Sequence, residues 1–161
     1  MGVTTFSDDF TSRIPAGRLF NALILDAHNL FPKIPPLGIK SIDTTEGNGG
    51  PGSISQINFV QDGEVKYVKH RVDALDKENM VYAYTLIEGG EVSTEKIESI
   101  SYEMKFESDP NGGCIGKKTS KYDIKEGFEI KEEEFKEHNE KAFGVFKAIE
   151  AFLSENPSAY V

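Results

Sequence analysis

The stretch EVKYVKHRVDALDKENMVYAYTLIEGG, residues 64–90, decides the fold. Val68, His70 and Val72 fall on alternate positions, the polar cluster Asp76-Lys77-Glu78-Asn79 interrupts them, and Met80, Tyr82, Tyr84 and Leu86 resume the alternation. Successive side chains of a strand point to opposite faces, so each set lines one face of one strand. A short break with turn chemistry then joins the two as an antiparallel hairpin.

The same period extends outward in both directions. Ile57 and Phe59 precede the stretch, and Ile100, Tyr102, Met104 and Phe106 follow it. The intervening breaks, GNGGPG (47–52), QDG (61–63), EGGE (88–91) and DPNGG (109–113), have hairpin lengths and turn residues, so residues 39–122 read as an antiparallel meander. Residues 3–11 read as extended. Pro15 then pre-sets a helix over about 15–25, with Leu19, Phe20, Leu23 and Ile24 at helical spacing. Asp26 is placed to cap a second short helix through Leu30, which Pro32, Pro35 and Pro36 end. In the last third of the chain, Phe135, Ala142, Phe143, Phe146, Ile149, Phe152 and Leu153 follow steps of three and four, with Glu132/Lys136 and Glu137/Lys141 at i,i+4. They predict a closing helix of about 25 residues, roughly 37 Å long. A curved antiparallel sheet wrapped around that helix buries its apolar face, which makes the class α+β.

Composition narrows the function. At 161 residues the chain fits one domain, and with 38% hydrophobic residues, 11 Phe and 6 Tyr it has the apolar surface to fold alone. A net charge of −9 disfavours strong nucleic-acid binding and anionic membranes. No apolar run is long enough to span a bilayer, the N-terminus lacks a secretory pattern, and Phe6 breaks the myristoylation motif that Gly2 suggests; the expectation is a cytoplasmic protein without membrane insertion. Cys114 is the single cysteine, so no intrachain disulfide and no cysteine-based zinc site can form. Its default reading is a structural thiol.

Several features invite chemistry. The loop Glu46-Gly47-Asn48-Gly49-Gly50-Pro51-Gly52 exposes backbone amides as a phosphate cradle does. It lacks the Lys-Ser/Thr pair and following helix of a Walker loop, and leads instead through Ser53 into an alternating strand, so a rigid turn is the better reading. His28, His70 and His138 form no local metal motif; His70, flanked on its face by Val68 and Val72, is either a hydrogen-bonded lining group or a ligand or base. Tyr82, Tyr84 and Tyr102 carry hydroxyls onto faces that should point inward. Either backbone acceptors in a dense core satisfy them, or they line a wet cavity and orient a ligand. No metal, no cofactor and no catalytic set is identifiable.

The whole chain, 1–161, resembles the plant family of the major birch pollen allergen, the pathogenesis-related class ten proteins. The resemblance rests on the opening MGV, IPAGRLFNALILDAHNLFPKI (14–34), EGNGGPGSI (46–54), YVKHRVDALDKEN (67–79), YTLIEGG (84–90), EKIESISYEMK (95–105), SKYD (120–123), EIKEEE (129–134) and FKAIEAFL (146–153). It implies a single ligand-binding domain: a seven-stranded curved antiparallel sheet gripping a long C-terminal helix, two short helices in a V, and a large internal hydrophobic cavity, similar to steroidogenic lipid-transfer domains. It implies a defence-related protein, also an allergen, that stores or carries amphipathic small molecules such as flavonoids, cytokinins, abscisic acid, sterols and fatty acids. The lining it implies is Leu23, Ile39, Phe59, Tyr67, His70, Tyr82, Tyr84, Ile100, Tyr102, Met104, Asn139, Ala142 and Phe146. A monomer or weak dimer is expected.

The family also suggests a weak ribonuclease or a metabolite-condensing enzyme, with Glu46, His70 or a cavity carboxylate as acid or base, and a hormone-dependent regulator of a protein phosphatase. Departures weigh against these. Tyr122-Asp123-Ile124 stands where many relatives read Tyr-His-Thr, Asn139 stands where they often carry a lysine, and the Ser-Gly-Leu-Pro gate of hormone receptors has no match after Leu86.

Overall fold

In the computed structural model, which describes residues 2–90 and 96–161, the hairpin forms as β4 (Glu64–Asp76) and β5 (Val81–Gly89). Asp76 builds its turn: the carboxylate accepts the Asn79 side-chain amide at 2.7 Å and the backbone N–H groups of Asn79 and Glu78 at 3.1 Å. Met80 belongs to the turn and not to the strand. It sits at φ 53°, and its side chain still packs against the core. Glu91 of the predicted 88–91 turn, Glu95 at the head of the 95–105 stretch, and Met1 lie outside the described residues.

The remaining strands are β1 (Gly2–Ser12), β2 (Ile39–Glu46), β3 (Ile54–Gln61), β6 (Ile97–Ser108) and β7 (Cys114–Ile124). Together the seven form one sheet in the order β1-β7-β6-β5-β4-β3-β2. The pairing of β1 along β7, from Gly2 opposite Ile124 to Ser12 opposite Cys114, adds a long-range seam to the local meander. Register shifts between Val72 and Ala74 in β4 and at both ends of β2 bend the sheet into a trough. Phe10 crosses directly over Gly116, where a Cβ would stand 1.9 Å from its ring, so only glycine at that position lets the ring lie flat on β7.

The predicted 15–25 helix is two pieces. Pro15, at φ −55° and ψ 142°, opens α1 (Ala16–Phe20), and the next turn, Asn21–Leu25, widens to π geometry, with the Asp26 N–H bonding to the Asn21 carbonyl at 2.9 Å. Asp26 precedes α2 (Ala27–Leu30), but its carboxylate does not cap the helix; it accepts the Tyr160 hydroxyl at 2.6 Å and the Asn29 amide at 2.7 Å. The prolines do not simply end the helix, since single 3₁₀ turns follow at Phe31–Lys33 and Pro35–Leu37.

The closing helix α3 runs Glu132–Glu155. Two clusters hold it. Near its start, Phe135 packs with Phe6 against Ile97, Ile100, Tyr122, Ile124 and Ile130. Toward its end, Phe146, Ile149 and Leu153 join Ile14, Leu19, Phe20, Leu30 and Phe106. Arg18 of α1 locks that second end: its guanidinium donates to the carbonyls of Leu153, Asn156 and Ala159, each at 2.7 Å. A cation placed on the free carbonyls of a helix C-terminus satisfies them and opposes the dipole. No described helix is long and apolar enough to cross a membrane.

Charge-assisted hydrogen bonds contribute on the order of 1.5–3 kcal/mol each before they are shared on one side chain. Arg18→Ala is therefore expected to cost about 2–3 kcal/mol in urea unfolding, and Arg18→Lys to recover only part of it because an ammonium lacks the planar fork. An alanine variant within 0.5 kcal/mol of the parent would show that the C-terminal clamp contributes nothing to stability.

Candidate functional site

Between the two clusters the interior is open. A cavity of about 1370 Å³ lies between the concave face of the sheet, the α1–α2 segment and the middle of α3. A space of that size, reaching solvent at its rim and lined by hydroxyls and an imidazole as well as apolar groups, is far larger than the voids of a packed core. It must hold water or a ligand. Exposed Asp9, Glu140 and Phe143 on one side and His28 and Lys77 on another mark where its lining meets solvent.

The strands set the lining by alternation. Ser55 and Ile57 come from β3, His70 and Val72 from β4, Tyr82, Tyr84 and Leu86 from β5, Tyr102 and Met104 from β6, and Lys118 from β7. α3 adds Asn139, Ala142, Phe143, Val145 and Phe146, and Leu23, Ile24 and Phe31 come from the helical segment. Across the floor the rings form a ladder: His70 to Tyr84 at 5.2 Å, Tyr84 to Tyr82 at 5.3 Å, and Tyr84 to Tyr102 at 5.1 Å between centroids.

Burial carries Tyr82 and Tyr84 further from ionisation and discharges His70. It pushes the Tyr82 phenol up to about 12, with the Asp73 charge adding to the effect, and Tyr84 well above the ordinary phenol range. Burial likewise lowers His70 to about 4, so at neutral pH the ring is an uncharged imidazole. Its Nε2 lies 3.5 Å from the Tyr82 hydroxyl, the outer limit of a hydrogen bond, and its buried Nδ1 has no partner among the described residues. The cavity thus offers neutral hydroxyl donors and an imidazole, the polar groups that fix orientation in a mostly apolar site.

Of the expected lining, Leu23, His70, Tyr82, Tyr84, Tyr102, Met104, Asn139, Ala142 and Phe146 border the cavity, and four residues do not. Tyr67 is one position out of step with Val68 and His70, so it faces outward, 39% exposed, and its hydroxyl donates to Glu88 at 2.5 Å. Ile100 faces inward but is consumed by the cluster around Tyr122. Ile39 and Phe59 pair with each other at the start of β2, half-buried and outside the lining.

Sequence reading missed Asp8, Phe10 and Lys118. The available signal was alternation: Lys118 shares its face with Gly116, Ser120 and Tyr122, and Asp8 shares its face with Phe6 and Phe10. His138 stands outside the cavity, where Nδ1 bonds to the Tyr122 hydroxyl at 2.9 Å. Cys114 is fully buried, and burial pushes its thiol up to about 11, which suits a packing role over a nucleophilic one.

Asn48, Gly49 and Gly50 of the glycine-rich loop touch the cavity edge, whereas Glu46, Gly47, Pro51 and Gly52 do not. The loop spends its amides internally: the Gly49 N–H donates to the Ser53 hydroxyl at 2.9 Å, the Gly50 N–H to Asn48 Oδ1 at 3.0 Å, and the Gly52 N–H to the Val72 carbonyl at 2.8 Å. Gly47, at φ 83°, would place a Cβ 2.5 Å from the Ser53 hydroxyl. This is a self-satisfied turn with few donors left for phosphate. Among the described residues no three His, Cys, Asp or Glu side chains converge to hold a metal.

Comparison with known proteins matches these features. The model of the pathogenesis-related protein Bet v 1 family fits residues 1–156. The major allergen Pru ar 1 of Prunus armeniaca is 50% identical over 160 residues, 99% of each chain, and the major strawberry allergen Fra a 1-B of Fragaria ananassa is 51% identical over the same span and coverage. Among solved structures, Ara h 8.0201 superposes with a TM-score of 0.87 at 36% identity, covering 96% of this chain and 99% of that one. Norcoclaurine synthase from Thalictrum flavum, solved with dopamine and hydroxybenzaldehyde, superposes at 0.70 with 16% identity over 96% of this chain and 88% of that one, a likeness of fold.

The neutral state of His70 has a pH signature. The unfolded chain takes up the proton near pH 6.5 and the folded chain only near 4. Stability is therefore full above pH 6.5 and falls as the pH drops toward 4, by up to about 3 kcal/mol from this group. His70→Gln is expected to flatten that part of the acid limb. A ring resonance of His70 titrating above pH 6 in the folded protein would contradict the assignment.

Proposed function

The chain belongs to the Bet v 1 family of pathogenesis-related proteins, and from that premise we propose that it is a cytoplasmic plant defence protein that binds and carries or stores amphipathic small molecules. The observation that supports this reading is the large cavity with its floor of neutral tyrosines. A ligand with an apolar or aromatic body displaces water that the apolar wall holds poorly, and the Tyr82 and Tyr84 hydroxyls fix its polar end. Flavonoids, cytokinins, abscisic acid, sterols and fatty acids all fit that description. The whole chain serves as one ligand-binding unit, because the sheet and α3 each supply one wall.

Magnitude sets the affinity. Burying about 300 Å² of apolar ligand surface at roughly 25 cal/mol per Å² gives about 7.5 kcal/mol before the costs of association, which hydrogen bonds to the tyrosines must offset, so micromolar is the tight end of the expected range. The enzymatic readings have less support. Glu46 is exposed and outside the cavity that holds His70, so the two do not form an acid and base pair.

Isothermal titration with a panel of these compounds is expected to give saturable binding, micromolar at its tightest, to at least one class, weakened about tenfold or more in Tyr84→Ala. The same ligand at a hundred times its Kd should stabilise the protein by about 2.7 kcal/mol and raise its Tm. No binding by any member of the panel, or saturation without a thermal shift, would remove the carrier reading.

A further inference from the structure

Most charged groups that border the cavity sit at its rim. Asp9, His28, Asp43, Lys77 and Glu140 are exposed, while Asp8, His70 and Lys118 lie deeper. His70 is neutral, so Lys118 is the interior cation. Its neighbours Lys117 and Lys121 alternate outward and are exposed, and Lys118 alone of these three turns into the cavity.

The direction in which Lys118 points carries the argument. Asp8 stands opposite it in the β1–β7 register, yet the two form no ion pair. The ammonium instead reaches over the Tyr102 ring, 4.7 Å from its centroid, at the end of the ladder that runs through Tyr84 to His70. Long lysines normally carry their charge to bulk water along an apolar stem. Here the charge is held over an aromatic face inside the cavity, with no carboxylate among the described residues paired to it. Burial draws the Lys118 pKa below the ordinary lysine value, with Asp8 opposing, as expected of a cation short of a partner.

We infer that Lys118 is the anchor for a carboxylate-bearing amphiphile, whose acid group meets the ammonium on β7 while its body lies along the Tyr102 and Tyr84 rings. This rests on the carrier reading and narrows it to a ligand class. An incoming carboxylate gives the ammonium its missing partner in a low-dielectric setting, where a charge-assisted hydrogen bond is strongest. A neutral ligand of the same shape leaves the cation unpaired.

The test uses 1-naphthaleneacetic acid and its neutral isostere 1-naphthaleneacetamide, titrated calorimetrically into the full chain at pH 7. The parent is expected to bind the acid about tenfold more tightly than the amide. Lys118→Met and Lys118→Gln should abolish the preference, bringing acid and amide to similar affinities, and Lys118→Arg should keep it; circular dichroism checks that each variant folds. Equal binding of acid and amide by the parent, or a preference that survives in Lys118→Gln, overturns the anchor and leaves the carrier reading standing. If neither compound binds the parent, the anchor and the carrier reading fall together for aromatic amphiphiles.

Discussion

Phe135 near one end of α3 and Phe146, Ile149 and Leu153 toward the other pack into separate clusters, and the span between them rides over open space. Everything else in the protein answers to that arrangement. The sheet must curve to reach both clusters, which the register shifts in β2 and β4 allow. The helix must be held at its C-terminal end by something other than its middle, and the Arg18 guanidinium and the Asp26–Tyr160 bond do so through the short helices. Because neither cluster reaches the centre, burial at the two ends stabilises the fold while the interior stays free for water or ligand.

The alternation in residues 64–90 carried the sheet, and the three- and four-residue steps after residue 132 carried α3. Less legible was anything set by partners far away in sequence. The seam of β1 on β7 and the diversion of Asp26 from capping to Tyr160 each depend on contacts that a local reading does not see. For the site, the tyrosines and His70 were readable because strand period fixes their side. Ile100 was misread because period tells which face a residue is on, not whether that stretch of the face is filled. Tyr67 was placed by resemblance against its own alternation, and the alternation was the better guide. Lys118 was readable in the same way and was overlooked among neighbouring lysines that face out.

The interior owes its electrostatic character to burial. The phenols are uncharged at neutral pH in any setting and burial carries them further from ionising, while the imidazole is discharged by its lowered pKa, so the floor is uncharged although it is rich in ionisable groups. Such a surface exchanges hydrogen bonds with ligands of many shapes at small desolvation cost, which suits breadth more than discrimination. A single cation at the edge of that floor is then the group able to distinguish one ligand chemistry from another.

The position of the lining at the margin of both clusters bears on how this architecture diversifies. A residue in a close-packed core is constrained by its neighbours, and most substitutions there cost stability. Leu86 and Met104 pack against a cluster on one side and border the chamber on the other, so exchanging them alters the shape and polarity of the chamber while touching only part of the packing. Foldability rests on the buried cluster members and ligand preference on their partly buried neighbours at the chamber wall, with Phe146 serving both, so a point substitution at the wall reshapes the chamber at a smaller packing cost than one in the core.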